Sequence, residues 1–246
     1  LFVGAGASLG KPSNLPLYEG LAKKLGKLAA HPFSKRRGLD YYIGSLESLP
    51  SGFDAHQHAL DIISNPKSKH NPTHSAVVSL AESSGAVRIV TTNYDDHLAA
   101  AAAAASIAIP DRWDAPALPL GRSFAGLVHL HGSVRRPKSE MVLTDRDFGQ
   151  AYMTDAWAAR FLLPMFASFT VLFVGYSHDD AIMRYLALGL PSRTDARAPR
   201  RFALTSSPGD SKWEYLGITP IGYTAAGKDH GNLIAAVTAW DQREIG

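Results

Sequence analysis

Short apolar runs alternate with amphipathic stretches along this chain of 246 residues. Strands are predicted at 87–92 and within 126–132 and 170–177, where apolar side chains follow one another with little polar alternation. Helices are predicted at 17–30 and 73–82, where leucines or small residues recur at helical spacing. Strands that are apolar throughout are typical of parallel sheets that are covered on both faces. The pattern therefore predicts an α/β fold with a parallel sheet and helices on both faces.

One long segment, residues 31–84, has no convincing strand and is predicted to be a helical insertion, in which Pro72 opens a helix. Farther along, a short strand is predicted at 107–109. Residues 145–168 are predicted to be helical with a break near Pro164. At the start, three apolar residues run directly into glycines, which is short for a buried strand. This start predicts a fragment of a larger protein.

The composition narrows the class of protein. The length suits one domain over 1–246. The 25 Lys and Arg residues against 22 Asp and Glu give a net charge of +3, which is too small to support direct nucleic-acid binding. No apolar run approaches the roughly 20 residues of a membrane span, so no membrane contact is expected. The chain has no cysteine, which excludes disulfides and thiolate zinc sites and is compatible with a cytoplasmic location.

Glycine-rich or polar residues follow four of the predicted strands. They are Gly4-Ala5-Gly6-Ala7-Ser8, Thr92-Asn93-Tyr94-Asp95, His129-Leu130-His131-Gly132 and Gly175-Tyr176-Ser177. In open parallel sheets, ligands bind at the carboxyl ends of the strands. Four such segments at four strand ends predict a ligand site at that edge of the sheet.

Each segment also has a structural interpretation. The glycines can form a tight turn, and Asn93 or Asp95 can shape a turn and cap the next helix. His129 and His131, two apart on a predicted strand, would share a face, where they could be core residues, a metal pair or include a general base. Ser177 nearly matches the serine-hydrolase elbow G-x-S-x-G, but the last glycine is missing, and a helix cap that also contacts a nucleotide phosphate is favoured.

Together and in this order, the four segments resemble the sirtuin family, whose fold is Rossmann-like. GAGAS, TTNYD, HLHG and VGYS are similar to its phosphate turn, ribose motif, catalytic His-Gly and late G-x-S turn, over residues 2–178. The deacylase branch of that family carries a four-cysteine zinc module, whereas residues 133–169 here hold no cysteine. The resemblance is therefore closer to the sirtuin-like effector domains of bacterial antiphage defence proteins, which hydrolyse NAD.

This resemblance implies roles for single residues. Asn93 and Asp95 would form the pair that holds the ribose and positions water, and His131 would be the catalytic base. NAD would be bound by Gly4, Ala5, Gly6, Ser8, Thr92, Gly175 and Ser177. NAD would be the substrate rather than a recycled cofactor, and no metal would be required.

The function that the resemblance implies is that of an NAD glycohydrolase (NADase), which releases nicotinamide and ADP-ribose and depletes NAD in an abortive infection. Such effectors imply a homo-oligomer, together with further domains or an activating partner protein. Three alternatives remain open. They are an NAD-dependent protein deacylase, a non-catalytic module that binds NAD or ADP-ribose, and a serine hydrolase that acts through Ser177.

Overall fold

A parallel sheet of seven strands is the centre of the described structure, a computed structural model that covers residues 1–176, 200–225 and 231–244. The strands are β1 (Phe2–Val3), β2 (Arg88–Thr91), β3 (Arg112–Asp114), β4 (Gly126–His129), β5 (Val171–Val174), β6 (Arg201–Thr205) and β7 (Thr219–Gly222). Their order across the sheet is β3-β4-β2-β1-β5-β6-β7, and every pair is parallel. The predicted α/β class is confirmed, and the first strand of the chain lies in the middle of the sheet.

The described residues also form several helices. They are α1 (Tyr18–Leu28), α2 (Leu39–Glu47), α3 (Ala55–Ile63), α4 (Pro72–Ser83), α5 (His97–Ala104), α6 (Asp145–Gly149), α7 (Trp157–Ser168), a short helix Lys212–Tyr215 and a C-terminal helix Gly231–Glu244. Tighter 3-10 turns occur at Ala5–Ser8 and Lys138–Glu140, and a π turn at Gln150–Thr154. None of the helices in the described ranges has the length and apolarity that crossing a bilayer requires.

Alternate residues of the central strands enter two separate cores. Val90 and Val128 point to the face that is covered by α6 and α7. Their neighbours Ile89 and Leu127 point to the opposite face, which is covered by α4, α5 and the C-terminal helix. Because side chains alternate along a strand, a sheet that is buried on both faces needs apolar residues at every position. This confirms the prediction of helices on both faces.

A third core lies within the helical part of the chain. It contains Leu25 of α1, Ile43 of α2 and Ala59 of α3, together with Met141 and Leu143 from the segment that precedes α6. In residues 31–84 the structure has α2, α3 and α4 and no strand, as predicted. Helix α4 packs on the sheet instead of joining this core.

The predicted strand at 107–109 is wrong. Helix α5 ends in a Schellman motif, in which Ser106 adopts a left-handed conformation with φ of 58°. The N–H of Ser106 donates to the carbonyl of Ala103, and the N–H of Ile107 donates to the carbonyl of Ala102. The chain is therefore still leaving the helix at Ile107, and the edge strand forms later, as β3.

The predicted break near Pro164 is also misplaced. Pro164 lies inside α7. The interruption falls earlier, where the π turn ends and Ala156 adopts a left-handed conformation with φ of 52°. The N–H groups of Asp155 and Ala156 both donate to the carbonyl of Gln150, which closes the wider turn.

A charged link joins three helices outside the sheet. The Nδ1 of His56 in α3 is 2.7 Å from Glu47 of α2, and its Nε2 is 2.9 Å from Asp147 of α6. Burial by itself would lower the pKa of His56, but the bonds to Asp147 and Glu47 outweigh burial and raise it to about 9. Asp147 also accepts hydrogen bonds from Thr144, the N-cap of α6. The protonated imidazole therefore ties the helical core to α6.

We predict that this link makes stability depend on pH between neutrality and about pH 9. The pKa of His56 is raised from 6.5 to about 9, so its stabilisation is complete below pH 6.5 and is lost as the pH rises through 9. We expect wild type to lose about 1–3 kcal/mol of unfolding free energy over this range relative to His56→Ala. Urea unfolding at several pH values measures the difference.

The matched control is His58→Ala, on the same helix, where the ring stacks on Phe53 at 4.6 Å between centroids. It should follow the wild-type pH profile. Parallel profiles for wild type and His56→Ala would contradict the link.

Candidate functional site

The predicted polar segments follow four neighbouring strands of the sheet, β4, β2, β1 and β5, at their carboxyl ends. β1 lies between β2 and β5, so the turn after β1, Ala5–Ser8, is flanked by the segments that follow its two neighbours. The N–H of Gly4 donates to the carbonyl of Val174 at 3.0 Å, and the N–H of Gly6 donates to that of Gly175 at 2.8 Å. The backbone itself thus brings two of the four segments into contact.

Glycines are required where these two turns touch. A Cβ added at Gly4 or Gly6 would lie 2.7 or 2.8 Å from the carbonyl oxygen of Gly175. Gly175 has φ of 63°, and a Cβ there would lie 2.5 Å from the backbone nitrogen of Ala7. The N–H groups of Gly4 and Gly6 already bond to the end of β5. The first role of the glycines is therefore to let the two turns approach each other this closely. Contact of this turn with a diphosphate stays a prediction.

Asn93 follows β2 and reaches back to the turn after β1. Its side chain is buried, with 6% of the residue exposed. Its Nδ2 donates to the carbonyl of Gly4 and to Ser8 Oγ, both at 3.2 Å. A carbonyl can only accept, so this contact fixes which end of the amide carries the nitrogen. Asn93 Oδ1 has no hydrogen-bond partner within the described ranges. A buried acceptor in this state is poised to accept from a ligand hydroxyl or a water molecule.

Ser8 and Asp95 complete a buried network around Asn93. Ser8 Oγ donates to Asp95 Oδ2 at 2.8 Å and lies 3.1 Å from Nε2 of His74. Asp95 Oδ1 accepts from the N–H of His97, the first residue of α5. Asp95 therefore supports both the helix start and Ser8, whereas the side chain of Asn93 takes no part in capping. Thr92, also predicted to bind NAD, donates its N–H to the carbonyl of Val3.

The two histidines near β4 have different surroundings. The strand ends at His129, so the prediction that both histidines lie on it is wrong, and His131 lies in the turn that follows. His129 Nδ1–H donates to the carbonyl of Asn93 at 3.1 Å, while its Nε2 lies 3.9 Å from Asp96. His131 Nε2 is 2.8 Å from the hydroxyl of Tyr152. Their partners differ, which gives no support to a metal pair.

Burial keeps both histidines neutral. It lowers the pKa of His131 to about 3 and also lowers the pKa of His129. A neutral imidazole has one unprotonated ring nitrogen, which can accept a proton, but a pKa this far below neutrality also makes the ring a weaker base than an ordinary histidine. The ring of His131 is held edge-on by Phe148, with centroids 5.3 Å apart. His131 is therefore fixed in an apolar pocket in its neutral form.

Three residues of the site were not predicted from the sequence, and one predicted residue lies outside the described part of the chain. His74 comes from the helical segment, and Phe148 and Tyr152 come from the region 145–168. The Asn71-Pro72 helix start, with His74 two residues later, is a capping signal that could have drawn attention to His74. The predictions for Ser177 and for the helix after it lie outside the described residues.

Comparison with known proteins decides the family. A profile of the SIR2-like domain matches residues 87–221, more than half of the chain. The chain belongs to the SIR2-like domain family. The match includes the Asn93 and His131 segments, and the predicted resemblance to sirtuins is confirmed at this level.

Two further similarities are more limited. The uncharacterized protein y4cA of Sinorhizobium fredii is 34% identical over 192 residues, which cover 68% of this chain. The matched part spans only 15% of that longer protein. A solved structure described as "Structural Basis for the Mechanism and Regulation of Sir2 Enzymes" aligns over 98% of this chain and 91% of its own, at 15% identity and a TM-score of 0.49.

We predict that Gly6→Ala destabilises this SIR2-like domain, because the new Cβ would lie 2.8 Å from the carbonyl oxygen of Gly175, which is backbone and cannot rotate away. The expected loss is about 1–3 kcal/mol, seen as a melting temperature lower by several degrees in circular dichroism. Gly149→Ala is the control, since a Cβ there meets nothing within 4 Å. Equal melting temperatures for both variants would refute the close approach.

Proposed function

We propose that this domain cleaves the bond between nicotinamide and the ribose of NAD, releasing nicotinamide and ADP-ribose. The observation that carries the proposal is Asn93 Oδ1, a buried acceptor at the strand ends of a SIR2-like domain that has no hydrogen-bond partner among the described residues. Its orientation is fixed by Gly4 and Ser8 before any ligand arrives. Such a preorganised acceptor suits a ribose hydroxyl or the attacking water.

The chemistry needs little beyond positioning and a base. Nicotinamide leaves as a neutral molecule from a cationic ring, so it takes the electrons of the breaking bond without needing a proton. The transition state resembles an oxocarbenium ion. In our proposal, Asn93 Oδ1 orients the ribose or the water, and His131 accepts the proton of the water as its oxygen bonds to C1′. Each effect supplies several kcal/mol, with about 3–5 kcal/mol typical of a general base.

The surroundings of His131 fit this role. In the tautomer that donates Nε2–H to Tyr152, the basic lone pair is on Nδ1. The apolar pocket and Phe148 keep the ring neutral and oriented. Asp95 holds Ser8, which in turn holds Asn93, so that we assign Asp95 to positioning. Contacts of NAD with Ala5, Thr92, Gly175 and Ser177 are part of the same proposal.

The wider role that we propose is NAD depletion in a bacterial antiphage defence system. It is supported by the sequence resemblance to sirtuin-like effectors and by the lack of cysteines for the zinc module of the deacylases. A single domain over 1–246, a homo-oligomer, an activating partner or further domains, and a cytoplasmic location belong to this proposal. The NAD assay separates NAD hydrolysis from deacylation and from binding without turnover.

The test is incubation of the protein with NAD, with and without an acylated peptide, while nicotinamide, ADP-ribose, its cyclic form and acyl-ADP-ribose are followed. Asn93→Ala and His131→Ala should each abolish most nicotinamide release while the fold survives. The double variant should be barely worse than either one, because residues that act as one catalytic unit are not additive. Asn65→Ala is the matched control, since Asn65 is an exposed turn asparagine that accepts from the N–H of Lys67.

The assay must use a condition in which wild type turns over, with any activating domain or partner present. Near-wild-type release from folded Asn93→Ala would return Asn93 to the role of a turn former. Acyl-ADP-ribose formed only with peptide would indicate a deacylase. NAD binding without products in every condition would indicate a binding module.

We further predict that chelators leave nicotinamide release unchanged. Within the described residues, the one group with converging metal-ligand types is Glu47, Asp54 and His56. These side chains already pair with one another or with Lys138 and Asp147. Release is compared before and after EDTA treatment, beside elemental analysis. Stoichiometric zinc whose removal stops turnover and whose return restores it would oppose this prediction.

A further inference from the structure

We infer that His74 is a positioning residue of this site, which uses its Nε2–H to set the direction of the Ser8 hydroxyl and thereby the orientation of the Asn93 amide. The expected effect of His74 on the rate of nicotinamide release rests on the proposed function. The structural basis of the inference is independent of that function, because it consists of hydrogen bonds that are present without any ligand.

The tautomer of His74 is set by the start of helix α4. Asn71 is the N-cap and His74 the third residue of the helix, and His74 Nδ1 accepts the N–H of Asn71 at 3.0 Å. Burial lowers the pKa of the ring to about 4, so the ring is neutral at pH 7. Because Nδ1 accepts, the single ring proton is on Nε2.

The proton on Nε2 determines the bonds of Ser8. His74 Nε2 lies 3.1 Å from Ser8 Oγ, so Ser8 accepts from His74. Ser8 also accepts from Asn93 Nδ2 at 3.2 Å and donates to Asp95 at 2.8 Å. A hydroxyl has one donor and two acceptor sites, so every one of its sites is used. The Ser8 hydroxyl therefore has one satisfied orientation, in which it presents a lone pair to Asn93.

The same bonds argue against a nucleophilic serine. Ser8, His74 and Asp95 have the composition of a hydrolase triad, but the order of their bonds differs. In a triad the histidine accepts the serine proton and the carboxylate binds the histidine. Here the carboxylate accepts the serine proton, and the histidine donates to the serine. Ser8 is also 2% exposed, so the set is arranged to hold Asn93 and not to attack a substrate.

Two variants separate the roles of the two imidazole nitrogens of His74. Glutamine at position 74 can place an amide N–H near the position of Nε2 but loses the helix-cap acceptor. Asparagine can keep the acceptor near the position of Nδ1 but cannot reach Ser8. We expect His74→Gln, the conservative variant, to lower the melting temperature but to keep far more of the kcat for nicotinamide release, per folded molecule, than His74→Asn does. We expect the kcat of His74→Asn, per folded molecule, to fall on the order of 10- to 100-fold with little change in KM, although this variant keeps the helix cap.

Wild-type kcat in folded His74→Asn would overturn the inference, since His74 would then act only as a cap. A kcat in both variants that falls only in proportion to the unfolded fraction would overturn it as well. Nitrogen NMR of the His74 ring in the unliganded protein gives a readout without turnover, and a proton found on Nδ1 would also overturn it. If wild type releases no nicotinamide under any activating condition, the proposed function fails, and the ring tautomer then decides the inference alone.

Discussion

The arrangement of the site depends on the contact between the turn after β1 and the end of β5. The N–H groups of Gly4 and Gly6 bond to this strand end, and the added volume of a single Cβ would separate the two turns. Once β1 is fixed there, the carbonyl of Gly4 is in place to orient the amide of Asn93. The glycine-rich turn therefore has a structural role first, because it holds the end of β1 against the end of β5. The position of Asn93 depends on this contact.

The polar network is stable because its groups satisfy one another in a buried setting. Ser8 bonds with Asn93, Asp95 and His74, and Asp95 also accepts the first N–H of α5. Buried polar groups that are left unpaired are costly, so a network of this kind selects one arrangement. Within it, Asn93 Oδ1 is the exception in the described ranges. We interpret that exception as the position where the substrate completes the network.

Much of the fold could be predicted, since apolar runs and helical spacing are local signals. Local signals also placed Asn93 and Asp95 at a strand end. What the sequence did not show depends on distant partners or on fine geometry. His74 meets Ser8 across 66 positions of chain, and no spacing rule predicts that contact. The apolar residues at 107–109 predict a short strand, while the Schellman motif that ends α5 decides the conformation of Ile107.

The central claim is that Asn93 Oδ1 binds the reacting end of NAD. A crystal structure of His131→Ala with NAD tests it most directly, because the variant should bind the substrate without consuming it. The account predicts a ribose hydroxyl of the nicotinamide end, or a water beside its C1′, at about 2.6–3.2 Å from Asn93 Oδ1. NAD bound with its ribose away from the β2 end, and Oδ1 contacting neither ribose nor water, would contradict it.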